Sequence, residues 1–348
     1  MGLNVIDLCE RGYIPDALTR WGMRGLMRRR LADEARDDGA LRTARLQRFI
    51  AELRESPIAV ATAAANAQHY EVPAEFFQRH LGPRMKYSCC LYPTGRETLA
   101  QAEECMLQLY AERAGLEDGM RILDLGCGWG SLSLWLAAKY PASRIVGLSN
   151  SQGQREFILA RARERDLANV SVVTGNIADP STELGAGFDR VLSIEMFEHM
   201  ENYVALLRKI SRWLAPGGQL FVHIFVHRLL AYHFEDKDGS DWMSRYFFTG
   251  GTMPSEDLLQ HFQDDLQIAT QWRVPGTHYE KTANHWLAGM DAARPAIMEI
   301  FRAAYGRDDA RLWFSRWRMF YMAVAELFGY RGGAEWGVGH YLFTRRQT

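Results

Sequence analysis

R-I-L-D-L-G-C-G-W-G-S, residues 121–131, is the stretch that decides the fold. R-I-L-D-L (121–125) is a short apolar run of strand type, and a helical pattern opens at Ser131. Between them Gly126, Gly128 and Gly130 stand at alternate positions, where glycine lets backbone amides approach a ligand near a helix N-terminus. A dinucleotide fingerprint would require glycine at position 131, which is Ser131 here. The next apolar run ends in Ser149 and Asn150, not in the acid that usually holds a ribose hydroxyl; Asn150 and Gln154 offer neutral hydrogen bonds instead. With Asp124 before the loop, S-adenosylmethionine fits these details better than NAD does.

Outward from this loop the chain alternates. Apolar runs recur at 144–148, 170–173, 189–194 and 219–224, with helical patterns at 131–139, 152–165 and 203–214 between most of them. Buried apolar strands joined by crossover helices predict an α/β fold with a Rossmann-like, doubly wound parallel sheet. L-A-P-G-G (214–218) should stop a helix and feed the fifth strand. Residues 1–60 read as helices, and Ile58 to Tyr70 as a connector. Beyond 228 the chain is aromatic and helix-rich, with a strand candidate at 268–274 and a final run, W-G-V-G-H-Y-L-F-T (336–344), expected as an edge strand returning to the sheet. The expected division is a helical N-terminal region that contributes to an active-site lid (1–115), a cofactor-binding core (116–228), and a helical substrate cap with the final strands (229–348).

Composition removes several classes of function. The 348 residues carry 41 Lys and Arg against 42 Asp and Glu, for a net charge of −1, so no global basic surface suggests nucleic acid. Five cysteines without a C-x-x-C pair argue against both a disulfide framework and a structural zinc site. The most apolar stretch, 220–234, contains three His and one Arg and is too short and polar to span a bilayer. A soluble, cytoplasmic protein without a metal or a stable membrane insertion is expected. Arg24, Arg28, Arg29 and Arg30 could meet anionic lipid, but the acidic residues that follow favour a solvated helix face.

The blocks D-L-G-C-G-W-G-S, G-L-S-N-S-Q-G-Q, S-I-E-M-F-E-H-M and L-A-P-G-G resemble class I S-adenosylmethionine-dependent methyltransferases. Within these, N-A-Q-H-Y-E-V-P (66–73), K-Y-S-C-C (86–90), W-M-S-R-Y-F-F-T-G-G-T-M-P-S (242–255) and A-V-A-E-L-F-G-Y (323–330) are similar to the branch that holds cyclopropane fatty acid synthases and plant alkaloid N-methyltransferases, the coclaurine-methylating enzymes among them. The resemblance implies that Tyr87 and Ser88 close over the methionine part of the cofactor. It also implies that Asn176 and Ile177 contact adenine, Asn176 through its amide oxygen, and that Tyr70, Trp317 and Phe320 line the substrate pocket. In the lipid cyclases bicarbonate serves as base, held by a Cys, a Glu and a His among others. Cys89, Glu198 and His223 match parts of that set and make bicarbonate a further candidate ligand. A homodimer is the assembly the resemblance suggests.

Methylation of an amine requires its neutral form, hence a base or proton relay beside the methyl donor. Glu195, Glu198 and His199 supply candidates: a helix after the fourth strand would set all three on one face. From spacing alone, a solvated first helical turn accounts for them equally well. The resemblance makes Glu198 and His199 the catalytic pair and leaves Glu195 to hold the cationic amine or orient the relay. The expected function is N-methylation of a small, aromatic, benzylisoquinoline-like amine. The alternatives are a fatty-acyl phospholipid methyltransferase or cyclopropane synthase and, from another class, a non-enzymatic scaffold.

Overall fold

The computed structural model describes residues 5–60, 72–235 and 241–346. Its centre is a seven-stranded sheet in the order β3-β2-β1-β4-β5-β9-β8. The first five of these are β1 (Arg121–Leu125), β2 (Arg144–Ser149), β3 (Val170–Thr174), β4 (Phe188–Ile194) and β5 (Leu214–His227), all parallel. Near-continuous apolar runs suit them because both faces of a parallel sheet are covered. The crossovers α6 (Ser131–Lys139), α7 (Gln152–Glu164) and α8 (Tyr203–Trp213) fall where the sequence places them, and Ser151 and Asn202 cap the last two through their side chains.

Two differences from expectation concern β5 and the C-terminal strands. Residues 214–218 are already part of β5: Leu214 pairs with Phe188 before a register shift, and the turn is folded into the strand. β9 (Trp336–Arg345) is not an edge strand. It lies between β5 and β8 (Leu266–Pro275), antiparallel to both, and β8 forms the edge; the short β6 (Tyr232–His233) and β7 (Thr252–Met253) pair separately. The reason was visible in its composition. Gly339, Tyr341 and Phe343 alternate with Val338, His340 and Leu342, so neither face is polar enough for solvent, and all but three of its ten residues are buried.

Helices precede and cover the sheet: α1 (Val5–Glu10), α2 (Asp16–Asp33), α3 (Gly39–Glu55), α4 (Ala74–Gln78) and α5 (Leu99–Arg113) before it. The short α9 (Trp242–Tyr246), then α10 (Thr277–Ala292) and α11 (Arg294–Gly329), follow it; α11 is kinked at Gly306. One apolar cluster takes Met27, Phe76 and Tyr110 from the N-terminal segment, Ile122 and Phe221 from the sheet, and Trp286, Trp317 and Val338 from the C-terminal segment. Among the described residues no helix is long and apolar enough to cross a membrane.

Candidate functional site

In a doubly wound sheet a crevice opens where neighbouring strands send their connections to opposite sides. Here that point lies between β1 and β4, because β1 is followed across the sheet by β2 and β4 by β5. Residues 126–130 leave the end of β1 and residues 195–199 leave the end of β4, so both turns face one cleft. The cleft is lined by Lys86, Tyr87, Ser88, Asp124, Gly126, Gly128, Trp129, Ser131 and Glu195, among others.

The glycine turn is built to hold a ligand. Gly126 adopts φ +83°, and a Cβ there would come within 2.8 Å of the Met196 side chain. Gly128 adopts φ +51° with open space where a Cβ would point. Two polar atoms lining the cleft, Ser131 Oγ and Trp129 Nε1, are buried with no hydrogen-bond partner among the described residues. Such groups are expensive unless a ligand completes them. Asp124 at the end of β1 accepts from Ser133 Oγ at 2.6 Å, and burial pushes its carboxyl up to about 6.

The other expected cofactor residues are arranged around this turn. Asn150 is half-buried just after β2. Gln154 is buried, with Oε1 accepting from Ser149 Oγ at 2.7 Å and Nε2 without a partner among the described residues. Asn176 follows β3, and its Oδ1 accepts the Ala178 amide at 2.9 Å. Ile177 is buried in an apolar cluster with Leu125, Leu148 and Phe197. Tyr87 lines the cleft and packs against Phe77, Trp286 and Trp317, while Ser88 Oγ accepts from Lys86 Nζ at 2.5 Å.

The turn after β4 is not the helix the spacing suggested. Glu195 has φ +48°, a left-handed conformation that strains a non-glycine residue, and Phe197–His199 form a single 3-10 turn. Glu195, Glu198 and His199 therefore do not share a helical face. The strain at Glu195 is offset by convergent donors. Its Oε1 accepts the Cys89 amide at 2.8 Å and lies 3.0 Å from His223 Nε2; its Oε2 accepts the Tyr279 hydroxyl at 2.6 Å. Burial pushes its pKa up, against the Lys86 charge, the Cys89 amide, the Tyr279 hydroxyl and His199.

Glu198 is 1% exposed, and its Oε2 is buried without a hydrogen-bond partner among the described residues. Burial and then the Glu195 charge drive its carboxyl well above the ordinary range. Three donors converge on Glu195 and favour its charged form, and a charge there disfavours ionisation of Glu198. The His199 ring stacks on Phe248 at 5.0 Å.

This geometry revises the expected bicarbonate set. The residue bonded to the Cys89 amide and to His223 is Glu195, not Glu198, and its own carboxylate takes the donors an exogenous anion would need. The residues therefore do not fit bicarbonate. Burial raises the Cys89 thiol well above its usual value and so favours the protonated thiol.

The aromatic candidates divide. Tyr70 lies outside the described residues. Trp317 and Phe320 do not line the cleft; they form an aromatic layer behind it, Trp317 fully buried against Phe76 and 6.4 Å from Tyr87, Phe320 stacked on Phe247 at 4.4 Å. Sequence reasoning did not pick out Lys86 or Tyr279. Lys86 is buried, with Nζ donating to Ser88 Oγ and to the Cys89 carbonyl, and its only signal was its place at the head of K-Y-S-C-C. No local pattern marks Tyr279 near the start of α10.

Comparison with known proteins gives a consistent result. Residues 59–328 match the family model described as mycolic acid cyclopropane synthetase. The chain is 38% identical to (S)-coclaurine N-methyltransferase of Thalictrum flavum subsp. glaucum over 348 residues, covering 99% of this chain and 96% of that protein. It is 30% identical to cyclopropane-fatty-acyl-phospholipid synthase of Escherichia coli (strain K12) over 242 residues, 69% of this chain and 60% of that one. A crystal structure of coclaurine N-methyltransferase bound to N-methylheliamine and SAH superposes with a TM-score of 0.94 at 36% identity, covering 98% of this chain and 99% of that one.

Proposed function

The chain belongs to the mycolic acid cyclopropane synthetase family, and from that premise we propose that it is an S-adenosylmethionine-dependent N-methyltransferase, of class EC 2.1.1, acting on a small benzylisoquinoline-like amine. The observation that carries this reading is the Glu195 carboxylate: an anion held by three donors at the wall of the cleft that the glycine turn also lines. S-adenosylmethionine supplies an electrophilic methyl group on a sulfonium. Gly126, Gly128, Ser131, Tyr87 and Ser88 would hold it, with Asn150, Gln154, Asn176 and Ile177 toward its nucleoside.

The chain's own residues then manage a proton. An amine arrives from water as an ammonium, and Glu195 attracts that cation into a site shielded from solvent. The proton must leave before nitrogen has a lone pair to react with. His199 accepts it, and Glu198, the neighbouring carboxyl whose Oε2 has no partner among the described residues, receives the new N–H. Trp317 and Phe320 support the aromatic wall behind Tyr87, where a flat ring or a cation is favoured. A built-in carboxylate also favours amine methylation over the lipid reaction, for which the resemblance implied an added anion as base. The five unpaired cysteines favour a reducing, cytoplasmic compartment, and the homodimer suggested by the resemblance is tested by light scattering.

The test is methyl transfer followed by mass spectrometry, with benzylisoquinolines and simple aromatic amines in one arm and unsaturated phospholipid vesicles in the other. One added methyl on an amine, without vesicles, is the expected result. A methylene gained on acyl chains with every amine silent would replace this reading with a lipid-modifying one.

A further inference from the structure

Behind Glu195 a line of polar groups crosses the sheet. His223 on β5 and His340 on β9 are directly opposed in register, and Trp272 on β8 is opposed to His340. His340 Nε2 lies 2.8 Å from His223 Nδ1, and the Tyr110 hydroxyl lies 2.9 Å from the same nitrogen. On the far side Arg113, in the last turn of α5, sets Nη1 2.6 Å from His340 Nδ1 and lays its guanidinium over the Trp272 ring. Both histidines are fully buried, while Arg113 is half-exposed. The contacts therefore run without a break from the cleft wall to the protein surface: Glu195, His223, His340, Arg113.

The direction of every hydrogen bond in this line follows from one fact. Arginine can only donate. His340 Nδ1 must therefore accept, and its one ring proton sits on Nε2. That N–H faces His223 Nδ1, which must also accept, and the His223 proton sits on Nε2, pointing at Glu195. The reverse order would leave His340 with no ring proton at all. Protonation of either histidine would set N–H against N–H. Burial, with the charges of Lys86 and Arg113, acts in the same direction and holds His223 well below the usual histidine range.

We propose that Arg113 and His340 are positioning residues that fix His223 as a neutral, one-way donor to Glu195, so that the Glu195 carboxylate stays an acceptor and the sheet side of the site takes up no proton. A proton released from the amine must then leave by the His199 side. This inference rests on the reading of Glu195 as the anionic partner of the amine. The groups that face the line are Lys86, Cys89, Tyr110, Tyr279, Glu198 and His199 around Glu195 and His223, and Tyr110, Lys86 and Arg113 around His340.

The experiment needs no substrate for its first arm. The full-length protein labelled with 15N-histidine is recorded by long-range 1H–15N NMR, assigned through His223→Gln and His340→Gln. Both rings are expected as Nε2–H tautomers that do not titrate between about pH 5.5 and 8.5, where an unperturbed histidine would. A Nδ1–H tautomer at His223, or its titration in that range, overturns the proposal whether or not any amine is methylated.

The second arm uses three variants. In His340→Gln the amide oxygen can accept from Arg113 and the amide nitrogen can donate to His223, so it should keep kcat within about 2-fold and the same pH profile. His340→Leu and Arg113→Met break the line. Each should lower kcat about 10-fold, release His223 to titrate and move the acid limb of the profile up, with cofactor affinity unchanged. Equal losses in His340→Gln and His340→Leu with an unmoved profile would mean that His340 only packs the sheet. Arg113 is half-exposed, so its variant keeps the proposal testable if His340→Leu does not fold.

Discussion

The two turns that meet in the cleft do opposite things with the same backbone conformation. After β1, Gly126 and Gly128 take positive φ without strain and leave amides and empty space facing a ligand. After β4, Glu195 takes positive φ at a cost and is held there by Cys89, His223 and Tyr279. One turn is a permissive cradle; the other is a charged group fixed from three directions. On the proposed function the cradle serves cofactor binding and the fixed charge serves the amine, so damage to each should appear in a different measured quantity.

The largest expected effect lies on the amine side. His199→Ala should lower kcat roughly 1000-fold in the methyl-transfer assay, as loss of an acid–base group does, with cofactor affinity by calorimetry within about 3-fold of the parent. On the cradle side, Gly126→Ala forces a side chain into φ +83° and toward Met196. Cofactor Kd should rise roughly 100-fold, while kcat at saturating cofactor falls far less. Loss of kcat alone in that variant would break the contrast.

A smaller change sharpens it. Tyr279→Phe removes the one donor to Glu195 Oε2 among the described residues and should cost about 10-fold in kcat, again with Kd unchanged. Smallest is a stability effect in the cradle. Burial raises Asp124 to about 6, so in the folded state it disfavours its charge. Its contribution to stability is complete below the unfolded value near 4, and is lost as pH rises through 6. Asp124→Asn should therefore match the parent's melting temperature near pH 4 and exceed it by about 5 °C at pH 7, read by calorimetry.

The same contrast separates what was legible in the sequence from what was not. The cradle is local: strand, glycines and helix lie within 121–139, and the periodicities and turn chemistry of that stretch point to them directly. The fixed charge is assembled across the chain. Glu195 meets Cys89 over 106 residues and Tyr279 over 84, and Arg113 meets His340 over 227. No spacing rule reaches that far, so Lys86, Tyr279 and Arg113 went unnoticed and Glu198 was set where Glu195 stands. His223 and His340 carried a faint signal as histidines within apolar strands. The placement of β9 failed for a related reason: its partner β8 is contributed from 60 or more residues earlier, and a period-2 pattern does not say which strand pairs on the far side.

The most direct test of the division between the two turns is Glu195→Gln, a change that keeps the shape and removes the charge. Single-turnover methyl transfer to a benzylisoquinoline and calorimetric binding of the cofactor would be measured on the same preparation. A rate roughly 1000-fold lower with cofactor Kd within about 3-fold of the parent is the predicted result. An unchanged rate, or a loss confined to cofactor binding, would contradict the assignment of the amine to Glu195.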